Sequence, residues 1–157
     1  MPLFFAITAV AFLLSSIAGM AADALLSDRI AIFGSFVGLQ YGLNPGIAWG
    51  IRLPSVLQNL LILLALIAVG WLAHRSLTLK TTSYKLSAIS YQLQAISYGF
   101  ILGGGLSNVV DRARDGFVTD FIQIGSFPVF NIADTFVSVG VVILMLEMFI
   151  SKRNAQD

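Results

Sequence analysis

Four stretches of this chain carry at most one charged residue each: Leu3 to Ala22, Leu53 to Ala73, Leu86 to Val110 and Thr135 to Ile150. A hydrocarbon layer of about 30 Å is crossed by about 20 helical residues, so each stretch is read as a transmembrane helix. The expected helices cover about 3–24, 55–73, 88–111 and 132–150 of a single integral membrane domain, 1–157. Composition agrees, with 57% hydrophobic and 11% charged residues and a mean hydropathy of +0.88. Soluble domains are nearer 25% charged. Leu86 to Val110 is diluted by Ser, Tyr and Gln, and Glu147, the one acid within the last stretch, is expected to snorkel toward its end. The first stretch lacks a preceding Lys or Arg and is too long for a signal-peptide core, so it is expected to remain.

Four crossings put both termini on one side. The second loop and the tail hold Arg75, Lys80, Lys85, Lys152 and Arg153, against Arg29, Arg52, Arg112 and Arg114 in the first and third loops. Five against four favours cytoplasmic termini. The acids are far more lopsided. Asp23, Asp28, Asp111, Asp115, Asp120 and Asp134 all fall on the side of the first and third loops.

Composition also limits the chemistry. There is no cysteine, which excludes a thiolate metal site or nucleophile, and the single His74 excludes zinc held by two histidines. A formal net charge of +1 gives no footprint for nucleic acid. Carboxylates, amides and arginines are what remain.

The loops are not helical in pattern. Val37 to Leu43 alternates apolar residues with Gly or Gln and reads as a strand, followed by a turn at Asn44-Pro45-Gly46. Phe117 to Ile122 reads as a second strand after a turn at Asp115-Gly116, so a small extracytoplasmic β element is expected on the bundle. A seven-residue repeat begins at Thr82, Ile89 and Ile96, and reads as a short duplication lengthening the third helix on its cytoplasmic side.

Three clusters of polar residues stand out. Asn108, Asp111 and Arg112 share a helical face after Gly103-Gly-Gly105. Small residues there let neighbouring helices approach, and a polar triplet on a membrane helix usually points into the bundle. Asp120 lies in Val118-Thr-Asp-Phe-Ile122 and Asp134 in Phe130-Asn-Ile-Ala-Asp134, across a loop that could fold back. Two carboxyls at a desolvated point cannot easily both ionise, which leaves an acid and a base within reach of one water. A competing reading makes Asn131 an N-cap and Asp134 its N3 acid, with no catalytic meaning. Asn44 reads equally as a plain turn residue, and Asp23 as an interfacial anchor.

Taken together these residues resemble a known family, the bacterial lipoprotein signal peptidases (signal peptidase II, prolipoprotein signal peptidase). The resemblance rests on Gly104-Gly-Leu-Ser-Asn-Val-Val-Asp-Arg112, Val118-Thr-Asp-Phe121, Phe130-Asn-Ile-Ala-Asp134 and Asn44-Pro-Gly-Ile-Ala-Trp-Gly50, in the family's order. It implies an all-α membrane fold, a four-helix bundle with the small β element. The implied activity is that of a membrane-embedded aspartic endopeptidase removing signal peptides from diacylglyceryl-modified prolipoproteins, just before the lipidated cysteine. It implies Asp120 and Asp134 as the catalytic pair, Asn44, Asn108, Arg112 and Asn131 as substrate-positioning residues, and Asp23, Asp111, Gly46 and Ala133 as supporting positions. No metal and no cofactor is expected. Expected partners are lipid-modified prolipoproteins and membrane lipid, with no nucleic acid, for a monomer in the bacterial inner membrane with its site near the outer face. The rival reading is a small proton-coupled transporter or channel subunit, which is expected to place acids near the midplane of its helices. A purely structural subunit leaves two loop aspartates flanked by apolar residues unexplained.

Overall fold

The structure, a computed structural model, describes residues 1–46, 53–79 and 88–154. Ala48, Trp49, Arg52, Lys80, Lys85 and the first copy of the heptad repeat lie outside the described residues. Four long helices and a three-stranded sheet make up the fold: α1 (Pro2–Leu25), β1 (Ile30–Phe33), β2 (Val37–Asn44), α2 (Ser55–His74), α3 (Ala88–Asp115), β3 (Val118–Ile124) and α4 (Ile132–Asn154). All four helices are long and apolar enough to cross a membrane. In lipid the backbone must satisfy its own hydrogen bonds, and the helix does so within each segment. Pro2, whose missing N–H costs nothing in a first turn, opens α1.

The helix with the most polar residues is the one in the middle. About 56% of the central stretch of α3 is buried, against 11–17% for the other three helices. Gly103, Gly104 and Gly105 show how one helix serves three neighbours. A Cβ at these positions would lie 2.5 Å from the Thr8 carbonyl of α1, the Ala133 carbonyl of α4 and Leu66 Cδ2 of α2, respectively. Successive helical residues point about 100° apart, so three consecutive glycines open three faces. The second and third heptad copies fall inside α3 and bury Ser90, Gln94, Ala95, Ser97 and Tyr98. They are therefore part of the bundle's packing, and Gln94 accepts a 2.8 Å hydrogen bond from the Ser76 hydroxyl beyond α2.

Two expectations need correction. Glu147 does not snorkel: it is 2% exposed, inside the bundle, and accepts a 2.6 Å hydrogen bond from Ser151 one turn later. The third helix also runs past residue 111, because Arg112 to Asp115 continue it as a last turn. Gly116, at φ 93°, then reverses the chain into β3.

The sheet is antiparallel in the order β1-β2-β3, two strands from the first loop and one from the third. Gly42 faces Asp120 and Asn44 faces Val118 across the β2–β3 ladder. That register brings the end of the first loop beside the acid in the third. An isolated bridge from Ile122 to Phe130 then turns the chain back toward α4.

Candidate active site

Asp120 sits in β3 and is 3% exposed. Both of its oxygens accept from amides: Asn44 Nδ2 donates to Oδ2 and Asn131 Nδ2 to Oδ1, each at 2.9 Å. Asn131 and Asp134 open α4. The Asp134 backbone N–H donates to Asn131 Oδ1 at 2.9 Å, and the Asn131 N–H donates to Asp134 Oδ2 at 3.3 Å. This is a reciprocal capping box. It occupies only one oxygen of Asp134, and Oδ1 accepts from Asn108 Nδ2 on α3 at 2.8 Å. The capping box therefore leaves Oδ1 of Asp134 turned to the Asn108 amide. Asn131 Nδ2 also donates to Asn108 Oδ1 at 3.1 Å, so an unbroken run of amides links the two carboxyls.

Around this core the first loop is pinned from two sides. Asn44 Oδ1 accepts the Gly46 N–H at 2.8 Å, which closes the expected turn. Arg112 Nη2 donates to the Gly46 carbonyl at 2.7 Å, and Gln58 Nε2, from the first turn of α2, donates to the Pro45 carbonyl at 3.0 Å. Gln58 is a residue that the sequence reading missed. The signal available was a polar side chain at the start of an otherwise apolar run. Arg112 keeps a buried Nε with no hydrogen-bond partner among the described residues.

Asn44, Asn108, Arg112, Asp120 and Asp134 line one cavity of about 580 Å³. Its other walls are Ile62, Gly105, Phe127 to Phe130, Thr135 and Val137 to Val139, so it opens between α2, α3 and α4. Burial pushes the Asp120 carboxyl up to about 6, and the Asp134 charge adds to the effect, while Asn44, Asn131 and Arg112 oppose it. One acid of the pair is thus biased toward keeping its proton close to neutral pH.

Asp23 and Asp111 are elsewhere. Asp111 turns away from Arg112 and accepts the Thr119 N–H at 2.7 Å, while Asp23 accepts the Thr119 hydroxyl at 2.9 Å. Arg114 Nη1 lies 3.3 Å from Asp23 and 3.4 Å from Asp111. So Asn108 reaches Asp134, Arg112 lines the same cavity while holding Gly46, and Asp111 braces α1, α3 and β3. Thr119 is the other residue that the sequence reading gave no role. Ala133, 2% exposed, packs its carbonyl against Gly104, and Gly46 supplies the carbonyl held by Arg112. Among the described residues, no three acidic or histidine side chains converge as a metal site would require.

Four membrane-length helices, three of them around a cavity that ends on the buried Asp120 and the half-buried Asp134, make this a multi-pass membrane protein with the parts of a hydrolytic site. Residues 6–150 match the family described as "Signal peptidase (SPase) II". The chain is 31% identical over 137 residues to a lipoprotein signal peptidase of Gloeothece citriformis, covering 83% of this chain and 77% of that one. A lipoprotein signal peptidase of Moorella thermoacetica is 32% identical over 126 residues, with 79% and 76% covered. The fold is also that of a bacterial membrane enzyme solved at 2.3 Å by the in meso method, with a TM-score of 0.78 and 22% identity over 96% of this chain and 90% of that one. The chain belongs to the signal peptidase II family, and with its four helices it is a multi-pass protein of the bacterial inner membrane. The transporter alternative is not favoured by any of these matches.

Proposed function

We propose that this protein is an aspartic endopeptidase that cleaves diacylglyceryl-modified prolipoproteins just before the lipidated cysteine. The observation that carries the reading is the run of amides that holds Asp120 and Asp134 on one cavity wall, with no cation among the described residues hydrogen-bonded to either. The relatives' name supplies the substrate class, and the apolar walls of the 580 Å³ cavity suit a signal helix and its acyl chains.

In the mechanism one carboxylate takes a proton from water as the oxygen bonds to the scissile carbonyl carbon. The other carboxyl, holding its proton, donates to the carbonyl oxygen. Collapse of the tetrahedral intermediate breaks the C–N bond, and the proton is returned to the leaving amine of the lipidated cysteine. Asn44, Asn108 and Asn131 keep the two carboxyls in register. The unpartnered Nε of Arg112 donates to a substrate carbonyl. Neither metal nor cofactor takes part.

The whole chain, 1–157, acts as one peptidase domain and as a monomer. Its termini face the cytoplasm, and the sheet and acid pair lie at the outer face, where a lipidated substrate arrives. Purified protein and a synthetic lipidated prolipoprotein peptide test this directly: cleavage should persist in chelator. Activity lost to chelator and restored by one divalent ion would overturn the aspartic assignment.

A further inference from the structure

A second cavity, of about 210 Å³, lies between α1 and the outer half of α3. Only a pair of amides separates it from the acid pair. Asn108 lines both cavities, while Asn131 lines the smaller one and donates to Asp120 Oδ1. The smaller cavity carries serine hydroxyls on otherwise apolar stretches of helix. Ser15 and Ser16 of α1 face Ser107 of α3, and the Ser16 and Ser107 hydroxyls are 3.1 Å apart. Ser15 is 6% exposed and its Oγ has no hydrogen-bond partner.

A buried hydroxyl without a partner costs stability unless something bonds to it. Polar cavities with room take up water, whereas apolar ones stay dry, and each water occupies about 30 Å³. This space has room for several. The large cavity has broad apolar walls as well, Ile62, Phe127, Phe130, Val137 and Val139 among them, and a lipidated helix filling it displaces solvent from that side. Every turnover nevertheless consumes one water.

We infer that the serine-lined cavity is the water site of the reaction, holding hydrolytic water and passing it by Asn108 and Asn131 to the acid pair while substrate fills the large cavity. This rests on the aspartic mechanism proposed above, whose proton and bond balance is unchanged. Ser15 is then a water-positioning residue.

Gly19 lines the small cavity, and a Cβ there meets nothing within 4 Å, so Gly19→Leu fills the space without a backbone clash. In lipid nanodiscs with a diacylglyceryl peptide, this variant is expected to lose about tenfold in kcat, the scale of one displaced, well-ordered water. KM should stay within about twofold, because substrate binding is untouched. Ser15→Thr keeps the hydroxyl and stays near wild type, whereas Ser15→Ala falls below it. A folded Gly19→Leu enzyme with wild-type kcat overturns the inference. Should that variant not fold, Ser15→Ala combined with Ser107→Ala decides: reduced kcat at constant KM supports the water site, and unchanged kcat overturns it. Asp120→Asn, measured in parallel, separates the two ideas. Turnover by that variant sinks the acid pair and the water route together; an inactive Asp120→Asn beside a fully active Gly19→Leu sinks the water route alone.

Discussion

Two pairs of aspartates sit at the same end of this bundle, one on each side of α3, and they are satisfied by opposite means. Among the described residues, Asp120 and Asp134 accept only from amide and backbone N–H groups. Asp23 and Asp111 share a guanidinium, and each also accepts from Thr119. An amide gives a carboxyl direction without giving it a countercharge, so burial still disfavours the ionised form and Asp120 is held up to about 6. A guanidinium supplies the countercharge, and the acid then serves as a strut. The same residue type thus forms a desolvated, amide-held pair on one face and a brace on the other. Thr119 joins them, since it carries the brace and is covalently next to Asp120.

The widest separation between the two pairs is in turnover. Asp120→Asn or Asp134→Asn should each lower kcat by about 10⁴-fold or more, as for members of a catalytic unit, and the double variant should be hardly worse. Asn at position 134 can still serve the helix N-terminus, so that variant should remain folded. A capping role alone predicts near-normal cleavage by Asp134→Asn, an outcome that removes the contrast altogether.

The same acid gives a stability signature. The folded chain holds the Asp120 proton up to about pH 6, while the unfolded chain releases it near 3.8. Between these values the native state binds more protons, so stability falls as pH rises, by about 3 kcal/mol in all. Thermal melting in detergent from pH 4 to 7 should show this slope in the wild type and a clearly shallower one in Asp120→Asn. The variant starts lower at pH 4, because an Asn side chain cannot accept from both Asn44 and Asn131. A slope unchanged in Asp120→Asn breaks the assignment.

Much of this arrangement is legible in the sequence, and the exceptions have physical causes. Uncharged length marks the four helices, because lipid leaves the backbone few alternatives. β1 gives no such signal: Ile30 to Phe33 is four exposed apolar residues whose pairing depends on β2. Glu147 misleads because position near a helix end does not say which face a residue occupies, and it faces inward. Asn108, Asp111 and Arg112 share a side of α3 in projection. Adjacent helical residues point about 100° apart, which sends Asp111 to Thr119 while Asn108 and Arg112, one turn from each other, line the cavity. For Asn131 and Asp134, spacing alone posed a choice between cap and acid pair. A carboxylate has two oxygens, and the cap uses only one of them, so the cap does not preclude the pair.

Breaking the brace should cost stability first and activity second. Asp111→Ala leaves the Thr119 N–H without its acceptor, in a residue only 3% exposed, which costs about 1–3 kcal/mol. Turnover should fall modestly and recover on cooling, because β3 still presents Asp120. Loss of turnover in a fully folded Asp111→Ala enzyme would instead place Asp111 among the catalytic acids.

The smallest effect belongs to Arg114, although it makes both ion pairs. Its side chain is 54% exposed, and its contacts at 3.3 and 3.4 Å are long for charge-assisted hydrogen bonds. Exposed pairs of this kind contribute about 0–1 kcal/mol and weaken further with salt. Arg114→Gln should therefore shift melting by less than Asp111→Ala does, and the shift should shrink in high salt. Asp111 keeps the Thr119 N–H in that variant, and Asp23 keeps the Thr119 hydroxyl, so β3 stays in register. kcat should stay close to wild type. An Arg114→Gln enzyme as inactive as Asp120→Asn would mean that the two acid pairs form one electrostatic site, with the guanidinium acting across α3 through Thr119.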